Sequence, residues 1–283
     1  MPKILKPDKA IRALENFSIY PYQSTKPRLC ILMKSNASKD NESYLNSIVK
    51  CAEKYGCEVK TNLVSNMVEA ITVMTRIRTE MLCSGILILG DFGKNENAAL
   101  AGMIPPRVDV DCASSSMYGM FATSTSPVAY RNAPCTAVAC YKMLEYEEYK
   151  IEGASIGIVG RSLKVGRPLA EILTSKGATT TVYNSHSDLS TLKFHDVVVV
   201  ATGKPKLITG DMLAKEQWII DVGINVDEKG KLCGDVDFDS ACKAIGDEGA
   251  ITPVPGGIGP LTNTVLFSKL FSNAYMEQNG GIL

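Results

Sequence analysis

Residues 155–169 read SIGIVGRSLKVGRPL, a short apolar run that breaks at a glycine and resumes with the period of a helix. Glycines stand at 157, 160 and 166, where a buried strand turns into a helix. A turn of this kind brings backbone N–H groups and the positive end of a helix dipole toward an anion such as a dinucleotide pyrophosphate. The spacing is GxxG with Gly166 six residues further on, not GxGxxG, so tight helix–sheet packing is the competing explanation for the same glycines.

On both sides of this turn, apolar runs of strand length alternate with helical stretches. Downstream come a helix from Val165 to Ser175, then ATTTVY (178–183), DVVVVATG (196–203) and QWIIDVGI (217–224). Upstream are RLCILM (28–33), a helix from about Glu42 to Tyr55, EVKTNL (58–63), a helix across Met67–Met81 and SGILILG (84–90). A helix over about Thr136–Tyr149 joins the two series. The rhythm predicts an α/β fold of two α/β domains with a ligand cleft between them. Between the series, GMIPPRVDVD (102–111) and the polar stretch 112–135 break the pattern at a length that suits a functional segment. The last strand-like run, GAITPV (249–254), passes through PGGIGP into a helix from about Thr262 to Glu277, expected to return to the first domain.

Composition narrows the function classes. The chain has 283 residues, 45% hydrophobic, with 30 basic against 30 acidic side chains, which excludes a disordered chain and makes nucleic acid an unlikely partner for want of excess positive charge. No long uncharged apolar window suggests a membrane span, and the start lacks the pattern of an export signal, so a cytoplasmic protein is expected. Nine scattered cysteines read as free thiols, and with His186 and His195 the only histidines, no structural metal is expected.

Three strand ends and one loop carry the chemistry. ATTTVY runs into NSHSD, offering Asn184, Ser185, His186 and Ser187 where an NAD-binding unit places an acidic residue for the ribose hydroxyls. With Arg161 just after the glycine turn, the site suits a 2′-phosphate, so NADP is favoured over NAD. The alternative leaves Arg161 solvated and gives the acidic role to Asp188. ATGKP (201–205) sets Ala201, Thr202 and Gly203 at a strand end, and DVGIN (221–225) sets Gly223 and Ile224 at another, although Asp221 reads equally well as a turn cap. TPVPGGIGPLTNT (252–264) packs three prolines and three glycines into Thr252–Pro260, a combination suited to a rigid loop against a flat ligand. A plain helix entry capped by Thr262 or Asn263 is the simpler reading.

GRSLKVGRPL, DVGIN, GDVDF and above all TPVPGGIGPLT resemble the methylenetetrahydrofolate dehydrogenase/cyclohydrolase family, and PPRVDVD and APCT continue the likeness in order along the chain. The resemblance implies an N-terminal folate-binding domain, residues 1–140 joined by the C-terminal helix 262–283, and a Rossmann-type NADP-binding domain, residues 141–261. It also implies a homodimer and hydride transfer from methylenetetrahydrofolate to the nicotinamide, giving methenyltetrahydrofolate, which many members then hydrolyse. Tyr44 is expected against the pterin and Asp111 on its amino-pyrimidine edge, the two catalytic candidates. Ile48 and Leu89 would line the substrate site with them, and Pro255, Gly256 and Gly257 would form the loop wall. The cofactor set is Gly160, Arg161, Ser162, Val165 and Gly166 in the turn, Ser185, His186 and Ser187 beyond the next strand, then Ala201, Thr202, Gly203, Gly223, Ile224, Gly257 and Thr262.

The chain departs from the family where hydrolysis is concerned. The family's Tyr-x-x-x-Lys pair supplies the lysine that assists hydrolysis, and here the fourth residue after Tyr44 is Ile48. Lys50 is no substitute, because two residues along a helix rotate a side chain by about 200°. The family's Val-Gln-Leu-Pro-Leu becomes Ile88, Leu89, Gly90, Asp91 and Phe92, so the glutamine is lost to Leu89. Lys34 reads as a solvated loop lysine, and Cys112 replaces a glycine. These departures predict an NADP-dependent dehydrogenase with cyclohydrolase activity lost or very weak. The competing readings are a non-catalytic paralogue that binds folate or NADP and acts through dimerisation, and a dehydrogenase of another small cyclic amine.

Overall fold

A computed structural model describes residues 1–80, 83–126, 129–226 and 230–279. The chain forms two compact α/β units, one from Ala13–Cys135 with the C-terminal segment beginning at Asn263, the other from Met1–Arg12 with Thr136–Thr262.

In the first unit three parallel strands lie in the order Glu58–Val64, Arg28–Lys34, Gly85–Leu89. The central strand is apolar along nearly its whole length because helices cover it, as parallel sheets require. Its residues Cys30 and Leu32 pack with Val64, Met74, Ile77, Cys83, Ile86 and Leu100. Helix Lys39–Tyr55 starts on the Ser38 side chain and ends on Gly56 in the left-handed region, φ 71°. The helix expected across Met67–Met81 runs Met67–Thr79, and Met81 lies outside the described residues. The stretch read as polar and irregular contains helix Ser115–Thr123, capped by Ser114 and burying Met117 and Phe121.

The second unit is a six-stranded parallel sheet in the order Lys3–Ile4, Ala250–Ile251, Trp218–Asp221, Val197–Val200, Ser155–Val159, Thr179–Tyr183. The order reverses at Ser155–Val159, whose successors in sequence lie on its two sides. Such a switch point is where open α/β sheets bind ligands, outside the carboxyl ends of the strands. Val159, Val198, Val200, Ile219, Ile245 and Ile251 form the core around it.

Two boundaries differ from the sequence reading. Residues 1–12 were assigned to the first domain, but Lys3 and Ile4 pair with Ala250 and Ile251 and so complete the second unit's sheet. The C-terminal helix begins at Ile258 rather than near Thr262. Pro260 sits in its first turn, where the missing N–H has no helical partner to lose. Thr262 and Asn263 are consequently buried helix residues and not caps. All nine cysteines are free, and among the described residues no helix is long and apolar enough to cross a membrane and no His, Cys, Asp and Glu side chains group as metal ligands.

Candidate active site

The glycine turn after Ser155–Val159 has a division of labour. A Cβ on Gly157 would come 2.7 Å from the His195 ring, so this glycine makes room for an imidazole that bonds Ser155 Oγ at 2.8 Å and the Tyr183 hydroxyl at 2.7 Å. Packing explains Gly157. Gly160, at φ 119°, lies against the Ala201 carbonyl, and Gly166 lies against the Gly160 carbonyl; neither has room for a side chain. These two glycines shape the turn itself. Ser162 Oγ accepts from the Val165 N–H at 3.1 Å, which sets the entry to helix Gly166–Ser175. Arg161 and Ser162 are exposed, Val165 half-buried and Gly166 buried.

At the end of Thr179–Tyr183 the chain forms a tight turn. Ser187 Oγ accepts from the Asn184 N–H at 3.0 Å, while Asn184 Oδ1 accepts from the His186 N–H at 2.9 Å. Ser185 and His186 are exposed beside it. The Asp188 carboxylate accepts from the Ser190 N–H at 2.9 Å and caps the short 3₁₀ helix Leu189–Phe194. Its acidic group is engaged locally.

Ala201, Thr202 and Gly203 follow Val197–Val200, and Gly223 and Ile224 follow Trp218–Asp221, so the structure sets both loops at the carboxyl ends of paired strands. Asp221 is buried and accepts from the N–H groups of Asp235, Val236 and Gly223. Burial pushes its carboxyl up to about 7 against the pull of the Val236 and Asp235 N–H bonds, and the Asp235 charge pushes the same way. In the proline and glycine loop the Val254–Pro255 bond is cis. Pro255 and Gly256 are exposed, with Gly256 at φ 102°; Gly257 is buried, with Pro253 O lying 2.6 Å from where a Cβ would stand. Thr262 was expected to face the cofactor, but its hydroxyl donates to the Ile258 carbonyl at 3.1 Å inside the helix and the residue is buried. That bond explains its burial without a ligand.

In the first unit, Tyr44 is half-buried, and burial followed by the nearby Asp111 charge raises its proton affinity well above the usual tyrosine value. Asp111 Oδ1 accepts from the Cys135 N–H at 3.0 Å, at the start of helix Cys135–Tyr146. Asp109 is buried and holds the loop, accepting from Ala113 N, Ser114 N and Ser114 Oγ at 2.7–2.9 Å. Cys112 has φ 52°, the left-handed region that favours glycine, and burial pushes its thiol up to about 12. A thiol held protonated in this way is no nucleophile. Ile48 is completely enclosed and Leu89 nearly so, which corrects the expectation that they line the substrate site: their side chains are part of the core. Lys34 Nζ donates to the Asp91 carbonyl at 3.4 Å.

The sequence reading did not single out Asp235 or Asn225 as site residues, although both lie within quoted motifs. Asp235 is fully buried and bonds Thr202, Gly203 and Asn225. The signal was a carboxylate in GDVDF directly after a glycine.

The second unit fits a dinucleotide: a turn with no room for side chains at its two tightest points and an exposed arginine beside it. Comparison with known proteins agrees. Residues 134–278 match the model for the tetrahydrofolate dehydrogenase/cyclohydrolase NAD(P)-binding domain. Over 256 residues the chain is 36% identical to the bifunctional protein FolD of Clostridium botulinum, covering 88% of both chains. It is 51% identical over 143 residues, 50% of this chain and 49% of the other, to the bifunctional protein FolD of Polynucleobacter asymbioticus. The crystal structure of the Campylobacter jejuni bifunctional enzyme FolD, methylenetetrahydrofolate dehydrogenase/cyclohydrolase, superposes with a TM-score of 0.85 at 26% identity, covering 98% of this chain and 100% of that one. With its sheet reversal, its glycine turn and a relative matched along most of its length, the chain belongs to the tetrahydrofolate dehydrogenase/cyclohydrolase family and carries that family's NAD(P)-binding domain.

Proposed function

We propose that this chain is an NADP-dependent methylenetetrahydrofolate dehydrogenase that has lost cyclohydrolase activity. The enclosure of Ile48 carries the reading. Hydrolysis of a methenyl cation needs a base to take a proton from water. At the position where the family supplies a lysine this chain has a hydrocarbon with no accessible surface, and the buried Leu89 replaces the accompanying glutamine. Hydride transfer makes no such demand: NADP held at the glycine turn would supply the hydride acceptor, and no protein base is needed.

The remaining work is binding and alignment. Asp111 offers a carboxylate to the paired N–H donors of an amino-pyrimidine edge, a charge-assisted arrangement. Tyr44 remains a neutral phenol beside it, since burial and the Asp111 charge both oppose its ionisation. Arg161 and Ser162 would hold phosphate at the glycine turn, with Ser185, His186 and Ser187 across from them. Engagement of Asp188 with Ser190 favours a 2′-phosphate there over a ribose hydroxyl seeking an acidic partner. Pro255, Gly256 and Gly257 would supply the rigid wall. Tetrahydrofolate derivatives are the substrates, and a cytoplasmic homodimer is the proposed working form.

The test is to incubate purified protein with methylenetetrahydrofolate and either NADP or NAD while following methenyl and reduced-nicotinamide absorbance separately. With NADP the two signals rise together, and the methenyl signal then decays at the rate seen in buffer. Faster decay would overturn the loss of hydrolysis, and turnover with NAD alone would overturn the role of Arg161. Tight ligand binding without turnover would point to a non-catalytic paralogue.

A further inference from the structure

We propose that Asp235 is a positioning residue for the dinucleotide, a buried carboxylate that clamps the loops after two paired strands into one preformed wall. The proposal rests on the reading that this end of the sheet holds NADP. Asp235 has no exposed surface, yet no cation neutralises it in any ion pair among the described residues. Four donors satisfy it instead. Oδ2 accepts from Thr202 N at 2.5 Å, Thr202 Oγ1 at 2.9 Å and Gly203 N at 2.9 Å, while Oδ1 accepts from Asn225 Nδ2 at 2.7 Å. The first three fix the loop after Val197–Val200, and the fourth ties in Asn225, which opens the short strand Asn225–Val226 directly after the loop that follows Trp218–Asp221.

The clamp is seated by a second carboxylate in a reciprocal arrangement. Asp235 N and Val236 N each donate to Asp221 at 3.0 Å. The Asp235 carboxylate fills the space a side chain on Gly223 would need, and the Asp221 carboxylate fills the space a side chain on Gly234 would need. DVG and GDV therefore interlock, each glycine admitting the other segment's aspartate. Asp221 N in turn donates to Thr252 Oγ1 at 2.8 Å, at the first residue of the proline and glycine loop. One hydrogen-bonded network thus spans three of the loops to which the sequence assigns ligand contacts.

Burying a carboxylate costs free energy unless its bonds are made good, and every bond of this one goes to a loop at the sheet's carboxyl end. Loops fixed in advance spare a ligand the entropy of ordering them. The backbone N–H groups of Thr202 and Gly203 can only donate, so the residue between the loops has to accept on Oδ2, and it accepts on Oδ1 from the Asn225 amide.

The experiment measures NADP affinity by calorimetry, with circular dichroism as the check on folding. In Asp235→Asn the amide oxygen serves the three donors of Thr202 and Gly203, leaving its NH₂ to face the Asn225 amide, which has to turn over to accept it. NADP binding is expected to weaken about tenfold, with the KM for methylenetetrahydrofolate unchanged. Combining Asp235→Asn with Asn225→Asp exchanges donor and acceptor across the same contact and is expected to restore affinity to within about threefold of wild type. Asn225→Ala, which cuts only the link between loops, is expected to weaken NADP binding several-fold and decides the matter if Asp235→Asn does not fold. Wild-type affinity in both single variants, or failure of the paired exchange to restore a folded Asp235→Asn, overturns the clamp alone. A wild-type protein that binds no NADP overturns the functional reading and the clamp with it.

Discussion

A methyl group on Gly160 would overlap the carbonyl oxygen of Ala201, so the ends of Ser155–Val159 and Val197–Val200 meet with no space for a side chain. Gly160 also holds φ 119°, which an L-residue rarely adopts. Gly160→Ala is expected to cost about 2–4 kcal/mol of stability and to abolish NADP binding. Thermal melts and calorimetry read the two effects, and a variant with wild-type affinity would show that the phosphates sit elsewhere.

Arg161 is exposed and has no ion-pair partner among the described residues. Arg161→Gln is expected to raise the NADP dissociation constant about 10–100-fold while leaving NAD unchanged, because only the former loses a charge-assisted bond to phosphate. Equal losses for both dinucleotides would move Arg161 from the 2′-phosphate to the pyrophosphate.

Ile48→Lys returns the residue type that the family uses for hydrolysis to a side-chain position with no accessible surface. An ammonium there lacks solvent, and the expected cost is about 2–5 kcal/mol. Methenyl hydrolysis is not expected to return with it while Leu89 remains. Urea denaturation and the methenyl decay rate test both statements; an unshifted midpoint would mean that the position opens to water.

Asp221 gives stability a pH dependence. Its carboxyl is held near 7 in the fold, against an ordinary value of 3.8, chiefly by burial. Between these values the folded chain retains a proton that the unfolded chain has released. Its contribution is therefore fully present below about pH 4 and declines as pH rises through 7, a change of order 4 kcal/mol. Asp221→Asn is expected to flatten this component in melts from pH 5 to 8, at a constant cost for the N–H group left without an acceptor. An unchanged slope would assign the dependence to another group.

Asn263 is buried, its Nδ2 donating to Ser47 Oγ at 3.0 Å while its Oδ1 has no partner. Ser47 keeps its bond to the Tyr44 carbonyl at 2.7 Å without it. Replacing the amide by a hydrocarbon of similar size removes an unmet acceptor, so Asn263→Leu is expected to stabilise by about 1 kcal/mol. A lower denaturation midpoint would show that the Ser47 bond outweighs the orphan.

The central strands Arg28–Lys34, Gly85–Leu89, Ser155–Val159, Val197–Val200 and Trp218–Asp221 were legible because each is a nearly continuous apolar run, and the βα turn because glycine marks it. Three features were not. Lys3–Ile4 is two exposed residues whose partner strand lies at the far end of the sequence, so no local pattern announces it. Gly157 looked like part of a phosphate turn, but the residue it accommodates, His195, is distant in sequence. Pro260 read as the end of a loop, although a proline in a first helical turn breaks no bond. In the candidate site, loss of the lysine was visible by counting from Tyr44; that Ile48 would be wholly enclosed was not, since helix periodicity gives a face and not a depth. The burial of Thr262 was hidden for a related reason, its hydroxyl being bonded to the turn before it. The Ser114 cap and the buried Met117 and Phe121 were on the page as SxxM and a four-residue apolar spacing, hidden by the polar residues around them.

Each unit is assembled from pieces that lie apart in the chain, Met1–Arg12 with Thr136–Thr262 in one and Ala13–Cys135 with the segment from Asn263 in the other. During synthesis Lys3 and Ile4 wait for Ala250 and Ile251 before they find their strand partner. No single cut yields two halves with complete sheets and cores, so limited proteolysis and domain-by-domain expression will return fragments rather than modules.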